Sequence, residues 1–378
     1  MKIKYFCDEN KIEKNASDQL NKYLEMPYLI DLCAFTDIHY CDEKAIPVGV
    51  AFKTEDYFYP MVTGKDIGCG VTCLQIEKKN WLKSFDKNIH YNALNRAHKD
   101  MTDDGLGGGN HFLSIEEDDN WIYIMCHTGS RNRGIALYQT NYGLVQEYKK
   151  ISGQDVEYIP LDQSIFLPTN YWEDYNNVLN HAVLRRKNFV LKTLTWLQVA
   201  NYVKSNKLEI PHDYMKMNYN FNDEIGKIYG TNYILTDSIH NHHIIDNNQV
   251  IHRKGSTELK RNIPVVIPLS MSRGCLIVKS NDDEKLNNAL YSCSHGAGRK
   301  LSRFDAMKYW RTVLKEKERR KYKEQFVELL DKSGDFPSGY IQEFDYAYKD
   351  SSEILIKQPY LKKITQTTPI ITIKYTEI

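Results

Sequence analysis

Several features that would place this 378-residue chain in a familiar class are missing from its sequence. Its eight cysteines form no CxxC pair and no dense framework, so we expect reduced thiols rather than a disulfide scaffold. No apolar run is long enough to span a membrane, and the start, MKIKYFCDENKIEK, lacks the apolar run of a signal peptide. We therefore expect a cytoplasmic protein without a membrane partner.

An excess of charge of one sign is also missing, because 50 basic residues are balanced by 49 acidic ones. A protein that binds nucleic acid over its whole surface is usually more basic, so any nucleic-acid contact must be a local patch. Hydrophobic residues make up 42% of the chain and charged residues 26%, as in folded globular proteins. No repeat or low-complexity linker divides the sequence, and we predict one domain over residues 1–378.

The sequence contains neither a P-loop nor a dinucleotide-binding fingerprint, yet glycine-rich loops recur. In SCSHGAGRKLSR (292–303), Gly296 and Gly298 flank Ala297 directly after His295, and three cations follow. Glycines let a ligand approach the main chain closely, and guanidinium groups fit phosphate oxygens. Neutral imidazole is also a nucleophile toward phosphorus. The alternative is a turn whose histidine caps the following helix or binds a metal.

Further loops combine glycines or a strand end with a side chain that can bind metal. Asp66 and Cys69 lie three residues apart in GKDIGCG, His111 follows GLGGGN, and two predicted strands lead into His127 and His240. Carboxylate, thiolate and imidazole are all metal ligands. Taken alone, each of these residues is better explained as a buried core residue or a hydrogen-bonded histidine than as a metal ligand. Together the five supply enough donors for two metal ions.

Apolar periodicity predicts both strands and helices. Strands are predicted at AIPVGVAF (45–52), YFYPMV (57–62), VTCLQI (71–76), WIYIMC (121–126), NYILTDSI (232–239), both halves of IPVVIPLSMSRGCLIVK (263–279) and PIITIKYTEI (369–378). Helices are predicted over about 82–100, over 171–206 as one long or two consecutive helices, and over 303–334, where Gly334 is the expected C-cap.

We expect structural roles for Asp37 and for the basic run 185–187. Asp37 in FTDIHY is expected to make a strand-end hydrogen bond. Arg185, Arg186 and Lys187 are expected on a solvated helix face, although they could also contact phosphate.

The order of these motifs resembles the RtcB family of RNA ligases, and the resemblance spans nearly the whole chain. The motifs are FTDIHY, PVGVAF and VTGKDIGCGV (within 35–71), GLGGGNHF (105–112), HTGSRNRG (127–134), IHN and RKGS (within 239–256), PLSMS (268–272), SHGAGRKLSR (294–303) and TIK (372–374). DIGCG, GGGNHF and HGAGR in this order are its most specific part. The resemblance implies an α+β fold, a single domain with a mixed β-sheet core surrounded by helices.

The resemblance also implies an activity and a set of site residues. The activity is GTP- and manganese-dependent joining of an RNA 3′-phosphate or 2′,3′-cyclic phosphate to a 5′-hydroxyl, through a histidine–GMP intermediate and an activated RNA(3′)pp(5′)G end, in RNA repair or tRNA splicing. His295 takes the position of the histidine that receives GMP. Two manganese ions map onto Asp66, Cys69, His111, His127 and His240, with Cys69 bridging them. Nucleotide contacts map onto Asn110, Phe112, Ser114, Asn241, Ser270, Met271, Cys275, Gly296, Ala297, Gly298 and Lys374.

The RNA-side expectations are less detailed. Arg131, Arg133, Arg299 and Arg303 are candidates for contacts with RNA phosphates because of their charge and position. We also expect a monomer, with an archease-type activator as a protein partner.

Two positions depart from the family pattern where the base is read. The family usually has a glutamate two residues after NHF, and here that residue is Ser114, with Glu116 slightly downstream as a candidate to compensate. Cys275 stands where the family has a base-contacting serine. Loss of a carboxylate that accepts from guanine is expected to weaken discrimination against ATP by roughly a few kcal/mol at most.

Two other functions compete with ligation. A metal-dependent phosphoesterase that opens cyclic phosphates would keep the five metal ligands but would have no use for His295 or Lys374. A non-catalytic RNA-end binding protein would leave thiolate, carboxylate and imidazoles without metal, which is costly when they are buried.

Overall fold

The computed structural model describes residues 2–41, 46–78, 86–101, 105–162, 166–206 and 233–374. Its strands are β1 (Lys4–Phe6), β2 (Leu29–His39), β3 (Val48–Glu55), β4 (Tyr57–Phe58), β5 (Gly70–Glu77), β6 (Phe112–Glu117), β7 (Trp121–Thr128), β8 (Ile159–Pro160), β9 (Tyr233–Ile239), β10 (Asn241–Asp246), β11 (Gln249–Lys254), β12 (Ser256–Glu258), β13 (Val265–Ser270), β14 (Gly274–Lys279), β15 (Ser292–Ser294), β16 (Lys362–Gln366) and β17 (Thr368–Ile373). Its helices are α1 (Lys14–Leu24), α2 (Lys87–Lys99), α3 (Asn132–Ser152), α4 (Tyr171–Asn206), α5 (Asp283–Asn288), α6 (Arg303–Thr312), α7 (Glu316–Gln325), α8 (Ser338–Ile341) and α9 (Ser352–Lys357).

Three sheets contain most of the described strands. The N-terminal sheet has the order β1-β2-β3-β11-β10 and is antiparallel except for the parallel pair β1/β2. The central sheet has the order β17-β6-β7-β5-β9 and is antiparallel throughout. A hairpin sheet of β13, β14 and β16 completes the set, and β12/β15 and β4/β8 form short pairs.

The central sheet is buried on both faces, which explains its near-continuous apolar strands. On one face, Leu74 of β5 and Ile124 of β7 pack with Phe189 of α4 in the largest apolar cluster, which also includes residues of α2. On the other face, Tyr123 packs against Val266 of the hairpin sheet. Alternate residues of each strand therefore face helices and a second sheet.

The antiparallel register of the central sheet brings several loops to one edge. Gly70 at the start of β5 pairs with Thr128 at the end of β7 and with Ile239 at the end of β9. Phe112 at the start of β6 pairs with His127. The residues just before β5 and β6, and those at the ends of β7 and β9, therefore meet at the same edge of the sheet.

The α+β class is confirmed, and residues 171–206 form one helix, α4. The single charged helix predicted over 303–334 is wrong, because the segment forms α6 and α7 and Gly334 lies in a later turn, donating to the Asp331 carbonyl. The break occurs where Leu314 turns inward to join Trp310 in the core. Burial of these side chains overrides the local helix propensity.

The strand predicted over 57–62 is also shorter than expected. Only β4 remains, because the chain turns at Tyr59 and Pro60 has no N–H to donate to a ladder. The predictions at Ala45, at 82–85, at Asn232 and at 375–378 lie outside the described residues. Among the residues that are described, no helix combines the length and apolarity that a membrane span requires.

Candidate active site

The metal-ligand candidates converge at the loop-bearing edge of the central sheet. Cys69 Sγ lies 3.4 Å from His111 Nε2 and 3.3 Å from His127 Nε2. His127 Nε2 lies 3.4 Å from His240 Nε2, and His111 Nε2 lies 2.9 Å from Asp66 Oδ2. The structure thus brings together all five side chains, and Cys69, His111 and His127 form a buried group with metal-site spacing.

The electrostatics of this cluster suit a bound cation. Burial lowers the pKa of His127 and His240, so both imidazoles are neutral and keep a lone pair. Burial and the neighbouring Asp66 raise the pKa of the Cys69 thiol in the absence of a cation. Burial opposes ionisation of Asp66, but His111 holds the pKa of this carboxyl below its usual range.

The donors present fit a divalent transition metal. Asp66 Oδ1 and His111 Nδ1 are buried without a hydrogen-bond partner among the described residues. One sulfur, one carboxylate and three imidazoles match the ligand preferences of first-row divalent ions, and a bound cation favours the thiolate form of Cys69.

Arg186 holds the loops that carry these ligands. Its guanidinium is fully buried, pairs with Asp237 at 2.7 Å and donates to the carbonyls of Gly68 (2.6 Å) and Thr128 (2.9 Å). The prediction of a solvated helix face is therefore wrong for Arg186. It is also wrong for the buried Arg185, which donates to the Gly105 carbonyl, because this face of α4 packs on the central sheet. Lys187 is partly exposed.

His295 lies beside the metal-ligand cluster, where the chain leaves β15. Its ring centroid is 4.8 Å from that of His240. Its Nδ1 lies 2.5 Å from Asp37 Oδ2, and the same oxygen accepts from the backbone N–H groups of His295 (2.8 Å) and Gly296 (3.1 Å). With the Nδ1 proton donated to this carboxylate, Nε2 keeps its lone pair.

A glycine makes this arrangement possible. Gly298 has a φ of +74°, and a Cβ at this position would lie 2.6 Å from the Asp37 Cα. Only glycine fits both the backbone conformation and the contact.

The role of Asp37 was missed from sequence, where only a strand-end hydrogen bond was predicted. A signal was present, because Asp37 interrupts the apolar strand β2 and a buried carboxylate there requires donors.

A cavity of about 810 Å³ extends from His295 and the metal-ligand cluster along the central and hairpin sheets. This volume lies within the usual range for ligand pockets. All predicted nucleotide contacts except Ser114 line it: Asn110, Phe112, Asn241, Ser270, Met271, Cys275, Gly296, Ala297, Gly298 and Lys374. Ser114 is fully buried behind this wall and donates to Glu116 Oε1 at 2.8 Å, while Glu116 itself lines the cavity.

Lys374 is held in the cavity wall by one hydrogen bond and one ion pair. Its Nζ lies 2.6 Å from the Gly109 carbonyl and 3.0 Å from Glu343 Oε1. Glu343 also contacts Arg299 at 3.5 Å and accepts from the Tyr348 hydroxyl. Sequence reasoning did not identify Glu343 or Tyr348, whose segment contains no glycine loop or strand-end histidine to mark it.

The four arginines expected to contact RNA lie in different environments. Arg299 is engaged in the wall, where it also donates to the Gln342 carbonyl at 2.8 Å. Arg131 is half-buried with a φ of +54° at the start of α3. Arg303 is exposed at the cavity, and Arg133 is exposed outside its lining.

These features define an α+β enzyme with a Cys–His metal site and an adjacent histidine supported by a carboxylate. The family model described as "tRNA-splicing ligase RtcB" matches residues 74–375 of the chain. The chain therefore belongs to the RtcB family of RNA ligases, as the sequence motifs predicted.

Curated relatives agree with this assignment. The chain is 23% identical to RNA-splicing ligase RtcB2 of an Escherichia coli strain, over 81% of this chain and 79% of that protein. It is also 23% identical to RNA-splicing ligase RtcB of Escherichia coli K12, over 81% and 83% of the two chains. The tRNA-splicing ligase RtcB of Methanocaldococcus jannaschii is 26% identical over 71% of this chain and 30% of that protein.

Proposed function

We propose that the protein is a GTP- and manganese-dependent ligase that joins RNA 3′-phosphate or 2′,3′-cyclic phosphate ends to 5′-hydroxyl ends. The observation that carries this proposal is the position of His295. Its Nδ1 is bound to Asp37, its ring lies beside His240, and it faces the same cavity as Lys374. A nucleophile, a metal centre and a cation are the groups that nucleotide transfer requires.

His295 is the proposed nucleophile. Its Nε2 attacks the α-phosphorus of GTP, a P–N bond forms, and the bond to pyrophosphate breaks. Where the RNA ends in a 2′,3′-cyclic phosphate, water first adds to its phosphorus, the bond to the 2′-oxygen breaks and that oxygen takes up the proton, which leaves a 3′-phosphate. An oxygen of the RNA 3′-phosphate then displaces the histidine and yields RNA(3′)pp(5′)G. The 5′-hydroxyl attacks the RNA phosphorus, loses its proton and releases GMP. Throughout, Asp37 keeps the proton on Nδ1 and fixes the ring orientation.

Asp66, Cys69, His111, His127 and His240 would hold the manganese ions, which supply positive charge next to the reacting phosphates. Cys69 Sγ lies within 3.4 Å of His111 Nε2 and 3.3 Å of His127 Nε2, so the sulfur would supply a thiolate donor next to both imidazoles. Lys374 would add a cation in the wall, where burial lowers its pKa and Glu343 opposes that effect. Arg303 lies at the exposed part of the cavity and would contact the RNA backbone.

The test is RNA joining by purified protein with manganese and GTP. One strand ends in a 3′-phosphate or a cyclic phosphate, and the other begins with a 5′-hydroxyl. We expect joining of both pairs, and no joining by His295→Ala. His98→Gln is the matched control, because His98 lies outside the cavity lining.

Each competing function predicts a different result. Opening of the cyclic phosphate without joining by the wild-type protein would favour the phosphoesterase, and binding without either reaction would favour the non-catalytic protein. Joining by His295→Ala would contradict the proposed mechanism. A cytoplasmic location, a monomeric state and an archease-type activator stay proposals drawn from the sequence.

A further inference from the structure

An irregularity in strand β2 presents Asp37 to the proposed nucleophile. β3 pairs with Ala34 and then with His39, and only Gly49 lies opposite the four residues 35–38. Gly49 has a φ of +90°, and a Cβ here would lie 2.6 Å from the backbone of β2. Such a bulge redirects side chains and leaves backbone groups without a partner in the ladder. The position of Asp37 therefore depends on what holds the bulge.

Lys349 binds this bulge. β1 pairs with β2 only as far as Phe35, so it supplies no donor to the residues that follow. Lys349 Nζ donates instead, to the Ile38 carbonyl at 2.6 Å and to the Thr36 carbonyl at 3.3 Å. These are the carbonyls on either side of Asp37. One ammonium group thus takes the place of the N–H groups that a neighbouring strand would supply.

The same residue also binds the loop that follows His295. The backbone N–H of Lys349 donates to the Gly298 carbonyl at 2.9 Å. Gly298 is the glycine whose close approach to the Asp37 Cα leaves no room for a side chain. Lys349 therefore holds both sides of that contact, the bulge through its side chain and the loop through its backbone.

The Asp37 carboxylate also needs a positive charge nearby. It is fully buried, its three N–H donors all reach Oδ2, and Oδ1 has no hydrogen-bond partner among the described residues. A buried carboxylate without compensation takes up a proton, which would make it a weaker acceptor for Nδ1 of His295. Burial lowers the pKa of the Lys349 ammonium, and Asp37 is the largest effect that opposes this. Because the attraction is mutual, Lys349 favours the ionised form of Asp37.

Lys349 does not contact the nucleotide in this arrangement. It lies outside the lining of the cavity that holds His295, and its Nζ is turned to the β2 carbonyls. Its effect on the reaction therefore passes through Asp37.

We propose that Lys349 is a positioning residue for nucleotide transfer, which holds the bulge that presents Asp37 and keeps this carboxylate ionised against the His295 imidazole. The inference rests on the proposed function, since it takes His295 as the nucleophile. In that step the imidazole gains positive charge as the P–N bond forms, and an ionised carboxylate on Nδ1 stabilises the charge.

The test measures the first turnover of nucleotide transfer. Protein shown to hold manganese is mixed with α-labelled GTP, and adduct formation is followed over a range of GTP concentrations. Lys349→Met keeps an apolar side chain of similar length but removes the charge and the donors. We expect the rate at saturating GTP to fall by about 10- to 100-fold, and the half-saturating GTP concentration to change by less than about threefold. Lys4→Met is the matched control, because Lys4 also pairs with a carboxylate of β2, that of Asp31, and lies outside the cavity lining.

A double-mutant cycle separates the positioning of Asp37 from a general effect on the fold. In the Asp37→Asn protein, Lys349→Met should slow the reaction further by less than about threefold, because the carboxylate on which Lys349 acts is gone. A purely structural role would give the same loss in both backgrounds. If Lys349→Met does not fold, Lys349→Arg and Lys349→Gln replace it, since both keep a donor and only arginine keeps the charge. The arginine variant should then be faster by about 10-fold or more.

Three results would overturn the role of Lys349: an unchanged saturating rate in folded Lys349→Met, equal losses in the two backgrounds, or equal rates of the arginine and glutamine variants. A higher half-saturating GTP concentration with an unchanged saturating rate would instead assign Lys349 to nucleotide binding. Absence of an adduct in the manganese-loaded wild type would refute the proposed function and this inference with it. A wild-type adduct together with any of the three results would refute only the role of Lys349.

Discussion

The two ends of the cavity differ in how strictly their residues are determined. At the metal end, which holds the candidate metal ligands, His127 and His240 end or follow strands, and Cys69 lies in a loop just before one. A metal ion accepts only side chains with suitable donor atoms. Further along β6, Glu116 lies within the strand and is positioned by hydrogen bonds from its neighbours. Coordination chemistry requires particular donor atoms, whereas the carboxylate of Glu116 is positioned by hydrogen bonds from neutral neighbours.

The largest effect is expected at the nucleophile. His295→Ala should reduce covalent nucleotide transfer below detection, because no other described imidazole in the cavity has a carboxylate on one ring nitrogen and the cavity on the other side. Manganese content, measured by elemental analysis, should be unchanged. Loss of metal together with activity would show that His295 belongs to the metal end instead.

The second-largest effect is expected at Cys69, the candidate metal ligand between His111 and His127. Cys69→Ala should lower manganese affinity by at least about 100-fold and abolish both RNA joining and cyclic phosphate opening. Cys73→Ala is the control, because Cys73 is a buried core residue on β5, the strand that begins directly after Cys69. Equal metal affinity in the two variants, measured by equilibrium dialysis, would contradict the assignment of Cys69.

The third-largest effect is expected at Asp37, whose carboxylate contacts His295. Asp37→Asn should slow nucleotide transfer by about 10²- to 10⁴-fold, because a carboxamide no longer fixes the proton on Nδ1 or stabilises the charged ring. Metal content should stay the same. Asp31→Asn, on the same strand but paired with Lys4, should change the single-turnover rate little. A loss below threefold in Asp37→Asn would show that the hydrogen bond is not needed.

Arg186, which binds the loops that carry the candidate metal ligands, should affect the stability of the fold more than the rate of nucleotide transfer. Arg186→Met should lower the free energy of unfolding by about 3–5 kcal/mol, because Asp237 loses its charged partner and two buried carbonyls lose a donor. Arg133→Met, at an exposed position, should change it by less than about 0.5 kcal/mol. Urea titration followed by fluorescence measures both, and similar values would contradict the structural role of Arg186.

The smallest effect is expected at the exposed part of the cavity. Arg303→Ala should weaken RNA binding a few-fold and reduce the slope of log affinity against log salt by about one, as for a lost phosphate contact. Arg320→Ala, on α7 and paired with Glu324, is the control. An unchanged salt slope in Arg303→Ala would remove this residue from the RNA path.

The convergence of the candidate metal ligands could be predicted from the sequence because each candidate lies at a recognisable strand end or glycine loop. His111 after GLGGGN and His127 after WIYIMC are examples, and the antiparallel register explains why they meet. The position of Asp37 could not be predicted in the same way. Its partner lies 258 residues away and is reached through the close approach of Gly298, a tertiary contact without a local pattern.

The two wrong predictions for helices, at Arg186 and over 303–334, have a similar cause. Arg186 follows the spacing of a solvated face, but α4 packs on the central sheet there, and buried carbonyls accept from its guanidinium. Residues 303–334 have a helical composition throughout, yet burial of Leu314 divides them. In both cases the deciding interaction is with a distant segment, which periodicity does not report.

The central claim is that His295 carries the transferred nucleotide, and the most direct measurement is to locate that nucleotide. Protein shown to hold manganese would be incubated with α-labelled GTP or ATP, denatured, digested and mapped by mass spectrometry. The account predicts an acid-labile GMP on His295, formed from GTP and lost in His295→Ala. A label on another residue, or no label in the manganese-loaded protein, would contradict it.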